Sequence, residues 1–513
     1  MSTWIDGKKI LDNVSFGTYN SDGTAVSTTA SYQKFPNPDA VRILIDNSKT
    51  VYDDGITFSY DNVKCYKANS NAPMLVNDGA LVAAIRKWDR YETITGDSAL
   101  AAALVQAKAA YGAEDKTQES IDNALAALSS AASNMADSNK PYKAETFSYV
   151  NASGVKTYEP VAGGKINGIY VSKNGKYSKT AKLMAAVFEN NVLTGIATAD
   201  IAADAINVGD TTVIPTELSL PQSGIENCEV KAFIWADDMQ PLADVKSERG
   251  LSENRNINVY IAGDSLAQDY TDSYYPQAGW GQMIVNYFDD GVTVKNNAIG
   301  GRSTKSFIKE GRLDNILNEI QPGDYLFVSF MHNDQKNGTG VSTDPNTTYA
   351  DNLYKYISAA RDKGAIPVIN IPIPRGLFSG TEKIGFYGKA NLGAYPAAAK
   401  ETARKYGVIC TNALDSWTDM IENGLVGLSG SDYTAQVSKL LNTYYLFVSE
   451  NDSRFDADKL ASSSYVNGAK DTTHLQEYGA DIMAQMIINE LKNIESPVKK
   501  HITNEHTPIQ PGE

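Results

Sequence analysis

The sequence predicts a multidomain chain that ends in an α/β domain, a parallel sheet with helices on both faces. Three observations predict it. Residues 256–493 alternate apolar runs of strand length with helical stretches, the pattern of βαβ units. Residues 78–136 are rich in Ala and Leu at helical spacing, and residues 1–75 and 143–247 break into short period-two runs. At roughly 150 residues per domain, 513 residues allow three or four domains.

Along the chain, VRILIDN and ITFSYDNVKCYK, broken by Asp, Asn, Gly and Pro, read as strands of a partial β-sandwich over 1–76, a candidate carbohydrate-binding module. Its abrupt start is expected to follow an upstream N-terminus. ALVAAIRKWDRYE, SALAAALVQAKAAYG and SIDNALAALSSAASNM, with Gly96 and Gly112 between them, read as a three-helix bundle over 77–140. The pattern resembles the FIVAR-type helical modules found between domains of bacterial surface glycan enzymes. TFSYVNAS, TAKLMAAVFE, NVLTGIATAD, TTVIPTEL and CEVKAFIWAD read as a second sandwich over 141–250. Its ending, VKAFIWADDMQPLAD, resembles small Ig-like modules of secreted Gram-positive proteins. The α/β domain is expected over 251–495 and a polar tail over 496–513.

Composition excludes several classes. Acidic residues outnumber basic ones, for a net charge of −15. A nucleic-acid partner wants clustered Lys and Arg instead. No run approaches 18 apolar residues, so no membrane-inserted helix is expected. The start, MSTWIDGKKILDN, lacks an apolar signal core. Three scattered cysteines and four histidines, without HExxH or CxxC, argue against a disulfide scaffold or a transition-metal site. No metal or cofactor is expected.

In parallel α/β sheets the site lies beyond the carboxyl ends of the strands. INVYIAG is followed by Asp264-Ser265, VTVKNNAI by Gly300-Gly301-Arg302, DYLFVSF by Met331-His332-Asn333-Asp334, and IPVINIPI by Pro374-Arg375. Before the final helix stands Asp471-Thr472-Thr473-His474. A Gly-Asp-Ser tripeptide alone proves little: Gly96-Asp97-Ser98 precedes an Ala-rich helix and reads as its N-cap. DTTH, taken alone, equally suits a surface histidine beside an Asp cap. Gly300-Gly301 suits a strand-to-helix turn, and Asn333-Asp334 a loop cap. Together they offer a nucleophile, a base and an orienting carboxylate, with Asp471 reaching His474 in a turn before a helix. Acyl transfer also needs donors for the developing oxyanion, and Ser265 N–H, Gly301 N–H and the Asn333 amide are candidates. IGGRSTKS lacks the GxxxxGK[ST] spacing, which argues against nucleotide binding.

The ordered blocks AGDS, IGGRS, MHND and DTTH resemble those of SGNH (GDSL) hydrolases. VYIAGDS, AGWGQMI, NNAIGGRSTKSFIKEGRLDNIL, GDYLFVSFMHND and DTTHLQEYGA most resemble rhamnogalacturonan acetylesterases of carbohydrate esterase family twelve, over residues 256–493. The resemblance implies a flavodoxin-like three-layer sandwich and removal of acetyl groups from plant cell-wall polysaccharide. By it, Ser265 is the nucleophile, His474 the base and Asp471 its orienter, with Ser265, Gly301 and Asn333 forming the oxyanion hole. Met331 departs from the family, which usually has Gly there, and puts the pocket shape in question.

Tyr270, Tyr274, Tyr275 and Trp280 follow the nucleophile and suit sugar faces, with core packing the plainer reading for Trp280. Arg302, Lys305, Lys309 and Arg312 fall on one helical face that could meet a galacturonate carboxylate, or form a solvated face beside Glu310 and Asp314. His332 and Arg375 complete the candidate substrate contacts. The partner expected is an acetylated polysaccharide or oligosaccharide. The module architecture implies a secreted or surface location. Acetylxylan or lipid esterase activity on the same fold, and a glycan-binding scaffold with a degenerate hydrolase domain, are the competing readings.

Overall fold

The computed structural model describes residues 3–5, 8–11, 18–19, 25–27, 76–88, 98–113, 115–133, 140–378 and 389–508. VRILIDN and ITFSYDNVKCYK of the first expected sandwich lie outside these residues, as do Gly96 and Asp97. Two compact units are defined, Met1–Ile85 with Ala102–Ser130 and Arg86–Ala101 with Ala131–Glu513.

In the first unit, Thr3–Ile5 pairs with Lys8–Leu11 and Thr18–Tyr19 with Ala25–Ser27, both antiparallel. Of three helices, Gly79–Trp88, Ser98–Gly112 and Gln118–Ser133, this unit takes the parts up to Ile85 and from Ala102 to Ser130. Within this unit Leu81, Ile85, Leu104, Ala107, Ile121 and Leu128 are buried, at spacings that put each pair on one helical face.

The second unit begins with two antiparallel sheets. One is built on Tyr142–Val150 and Lys165–Lys173, the other on Ala181–Glu189, Val192–Ile201 and Cys228–Trp235. Their inward residues, among them Phe147, Ile169, Leu183, Val187, Val230 and Ile234, share one core. Lys165–Lys173 and Lys246–Arg249 escaped the sequence reading. The sheets join the α/β part through polar pairs: Arg255 meets Glu159 at 2.6 Å, and Lys143 Nζ donates to the Tyr354 hydroxyl at 2.9 Å.

The α/β part is organised by β1 (Ile257–Gly263), β2 (Val292–Asn296), β3 (Tyr325–Ser329), β4 (Ile366–Ile371) and β5 (Ile409–Asn412). All pairs are parallel, in the order β2-β1-β3-β4-β5, a doubly wound arrangement of flavodoxin type. β1, β3 and β4 are mainly apolar because both their faces are covered, whereas β2 at the sheet edge buries only Val292. Ile257, Val259 and Ile261 of β1 enter one layer, and Tyr260 and Ala262 the other. Phe327 and Val328 of β3 divide the same way. The second layer is lined by α1 (Thr304–Lys309), α2 (Arg312–Glu319), α3 (Ala350–Asp362) and α4 (Tyr395–Tyr406). The first is lined by α5 (Ala413–Asn423), α6 (Gly430–Tyr444) and α7 (Glu477–Leu491).

A small antiparallel sheet stands beside this core. β6 (Tyr445–Val448) and the short strand Gln277–Ala278 flank β7 (Ala469–Gln476). Asp471 to His474 therefore lie in a strand, not in the turn expected. A register shift between Tyr445 and Leu446 leaves Thr472 to His474 outside regular pairing with β6. Residues 496–508 of the expected polar tail are docked. Val498 is buried, Thr503 N–H donates to Tyr287 O, and His506 reaches Asp481 at 2.7 Å.

Candidate active site

β1 ends where Gly263 permits close packing. A Cβ there would stand 2.9 Å from Ala267 Cβ and 3.2 Å from Ser329 O. The chain then turns: Leu266 N–H donates to Asp264 Oδ1, and the Ala267 and Gln268 N–H groups to Asp264 O. This presents Ser265 beyond the sheet edge. Its Oγ lies 2.9 Å from His474 Nε2, across 209 residues of sequence. His474 Nδ1 lies 2.6 Å from Asp471 Oδ2, while Asp471 Oδ1 accepts the N–H groups of Thr473 and His474.

Burial acts to raise the Asp471 pKa. The His474 hydrogen bond and charge, with the two backbone N–H groups, outweigh it and hold the carboxyl at about 2. An ionised carboxylate only accepts, so Nδ1 carries the ring proton and the Nε2 lone pair faces the Ser265 hydroxyl. That series of bonds can deprotonate an attacking alcohol.

Gly301 follows β2 with φ +80°, in the left-handed region that favours glycine. The preceding peptide is fixed by Gln268, whose Oε1 accepts Gly300 N–H. Asn333 follows β3, is buried, and donates one amide hydrogen to Arg302 O at 2.9 Å. No described residue takes its second amide hydrogen. Asp334 ties the same loop to α1: its Oδ1 accepts the Thr304 hydroxyl at 2.6 Å and the Thr343 hydroxyl at 2.9 Å. Asp334 also accepts the Thr304 N–H, at the start of the helix that Ser303 caps.

Several expected substrate contacts are corrected. Trp280 is fully buried and packs near Phe327, so no sugar reaches it. His332 is buried with neither ring nitrogen hydrogen-bonded to a described residue; burial, reinforced by Arg375, His474 and Lys336, holds its pKa well below the usual histidine range. Arg375 donates to Gln335 Oε1 at 2.7 Å and to His332 O at 3.0 Å, which braces this loop. The face formed by 302, 305, 309 and 312 is not continuous. Arg302 precedes the Ser303 cap of α1, and Gly311, at φ +70°, separates α1 from α2. Glu310 takes both Arg302 and Arg312 as partners. Met331 is fully buried in the layer of α1–α4.

The tyrosines divide. Tyr270 donates its hydroxyl to Ser265 O at 2.9 Å, bracing the nucleophile's own peptide. Tyr275 packs on Phe455, and its oxygen accepts Asp456 N–H. Tyr274 is 44% exposed, between Tyr270 at 5.7 Å and Tyr465 at 6.5 Å. Tyr465 and Gln268 escaped the sequence reading. Gln268 carried a weak signal, three residues after Ser265, whereas Tyr465 lies in SSSYVNG, where nothing local marks it.

Fold and site together define a serine esterase of the GDSL/SGNH type. The GDSL-like lipase/acylhydrolase family profile matches residues 261–433, and the chain belongs to that family. It is 33% identical over 248 residues to rhamnogalacturonan acetylesterase RhgT of Bacillus subtilis (strain 168), covering 48% of this chain and 95% of that protein. It is also 33% identical over 249 residues to the probable rhamnogalacturonan acetylesterase YesY of the same strain, covering 48% and 98%. The solved structure of B. subtilis YxiM shares 18% identity, covers 69% of this chain and 90% of its own, and superposes with a TM-score of 0.36. Among the described residues, no helix is long and apolar enough to cross a membrane.

Proposed function

We propose that this chain is a carbohydrate esterase that removes O-acetyl groups from plant cell-wall polysaccharide of the rhamnogalacturonan type. The single observation that carries the chemistry is the unbroken series Ser265 Oγ, His474 Nε2, His474 Nδ1, Asp471 Oδ2, with gaps of 2.9 and 2.6 Å. Ser265 Oγ attacks the acetyl carbonyl carbon as His474 Nε2 takes its proton. The Ser265 and Gly301 N–H groups and the second Asn333 amide hydrogen receive the oxyanion. Collapse breaks the C–O bond to the sugar, whose oxygen takes the proton back from His474. Water, deprotonated by the same ring, then hydrolyses the acetyl-enzyme to acetate. Asp471 keeps the imidazole in the reactive tautomer throughout.

The two B. subtilis relatives support the polymer, since both bear the name rhamnogalacturonan acetylesterase. The exposed Tyr274 face suits a sugar ring. An esterase domain over 251–495 behind β and helical modules fits an enzyme that meets its polymer outside the cell. The test is acetate release from acetylated rhamnogalacturonan, acetylated xylan and a long-chain ester, by wild type and Ser265→Ala. The reading expects the greatest kcat/KM on rhamnogalacturonan and loss of release in the variant. Equal rates for the two proteins end the serine mechanism; preference for either other ester ends the substrate assignment.

A further inference from the structure

A cavity of about 460 Å³ opens beside the nucleophile loop, and neither the relay nor the tyrosines use it. It is lined by Gln268 and Asp269 after β1, by Asn296 and Asn297 at the end of β2, and by Arg312 and Asn315 of α2. It therefore lies at the carboxyl edge of the sheet, where doubly wound domains receive ligands. Gln268 fixes its distance from the chemistry. The same side chain that borders the cavity accepts Gly300 N–H, and a Cβ on Gly300 would stand 3.4 Å from Ser265 Cβ.

The lining has a definite chemistry. Asn296 is a bracket with its groups in use: Nδ2 donates to Ala267 O and Asp269 Oδ1, and Oδ1 accepts Ala298 N–H. Asn297 and Asn315 are different, since no described residue engages either side-chain amide. Each offers a carbonyl acceptor and two donors. Asp269 keeps one carboxylate oxygen beyond the one Asn296 holds. Arg312 donates through Nε to Glu310 at 2.6 Å, a carboxylate it shares with Arg302. Amides with a carboxylate suit the paired hydroxyls of a sugar. The Asp269 charge disfavours a ligand carboxylate beside it. So polar a lining disfavours an acyl chain.

We infer that this cavity is a subsite for a neutral pyranose of the acetylated glycan, held through its hydroxyls by Asn297, Asn315 and Asp269. The inference rests on the esterase reading for its place in the reaction, but sugar binding can be read without turnover. In Ser265→Ala protein labelled with 15N-asparagine, the Asn297 and Asn315 amide signals are followed during titration with methyl rhamnoside, methyl galactoside and methyl galacturonate. Shifts of both signals with a neutral glycoside and not with the galacturonate are expected. No shift with either neutral glycoside, or equal shifts with the acid, overturns the inference. In otherwise wild-type enzyme, Asn297→Ala and Asn315→Ala should each lower the ratio of kcat/KM on acetylated oligosaccharide to that on p-nitrophenyl acetate by about tenfold. An unchanged ratio in both variants also overturns it. If wild type releases no acetate from glycan, the esterase reading fails, while the titration still decides the cavity.

Discussion

Asp471 and His474 are joined twice. One carboxylate oxygen lies 2.6 Å from Nδ1 of the ring, and the other accepts the backbone N–H of the same histidine at 3.1 Å. The second bond fixes the carboxylate against the chain that carries the imidazole, so tautomer and ring position are set together.

Asp471→Asn should therefore lower kcat on p-nitrophenyl acetate by about 10⁴-fold, because an amide that donates toward Nδ1 selects the wrong tautomer. Its effect on stability has a definite sign. The folded carboxyl titrates at about 2, below the ordinary value near 3.9. Its ionised form thus adds stability above pH ~4, which is lost as pH falls toward 2. Thermal melts at pH 6 and pH 3 should show wild type losing more Tm than the variant; parallel losses would contradict this.

Asp264 has the opposite sign. Burial is the largest cause lifting its carboxyl to about 7; the Leu266 N–H opposes it and the Asp334 charge reinforces it. Between roughly pH 4 and 7 the native state holds a proton that the unfolded chain has released, so stability falls as pH rises through that window and levels off above it. Oδ2 has no hydrogen-bond partner among the described residues, so no bond compensates the charge. Asp264→Asn stays neutral. The Tm of the variant minus that of wild type should rise between pH 5 and pH 8, and a constant difference would exclude ionisation of Asp264 as the cause.

The legibility of the sequence follows from where each residue is buried. β1, β3 and β4 are mainly apolar and almost wholly buried because helices cover both faces, and a run of that kind ends sharply at the residues that leave the sheet. Ser265 and Asn333 could be picked out for that reason, while Gly301 follows β2, an edge strand of mixed polarity. β7 gives no such signal. Its segment 469–476 is mostly half-exposed, and its strand conformation is set by pairing with β6 and with Gln277–Ala278. The break between α1 and α2 depends on the positive φ of Gly311, which a periodicity argument passes over. Trp280 misleads because a large ring near a nucleophile suggests contact with substrate, yet this one fills the core.

Met331 tests that distinction. Its side chain is fully buried among residues of the α1–α4 layer. Met331→Ala should then cost about 2–5 kcal/mol of stability through the cavity it leaves. Urea unfolding measures this. A loss under 1 kcal/mol, coupled to a changed KM for glycan, would mean that the side chain shapes the substrate pocket after all.

Gly301 and Gly263 separate two uses of glycine. At Gly263 an added Cβ collides with Ala267 and Ser329, so Gly263→Ala should lower Tm. At Gly301 an added Cβ meets nothing within 4 Å, and the cost lies in the backbone, where φ is +80°. An L-residue there costs roughly 1–2 kcal/mol, relieved by rotating the peptide. That rotation turns the Gly301 N–H away from the developing oxyanion, and losing one such donor costs about 10²–10³ in kcat. Gly301→Ala should keep most of its Tm while kcat on p-nitrophenyl acetate falls toward that range. Asn tolerates the left-handed region better than Ala, so Gly301→Asn should recover part of the rate. Wild-type kcat in Gly301→Ala would remove this N–H from the oxyanion hole.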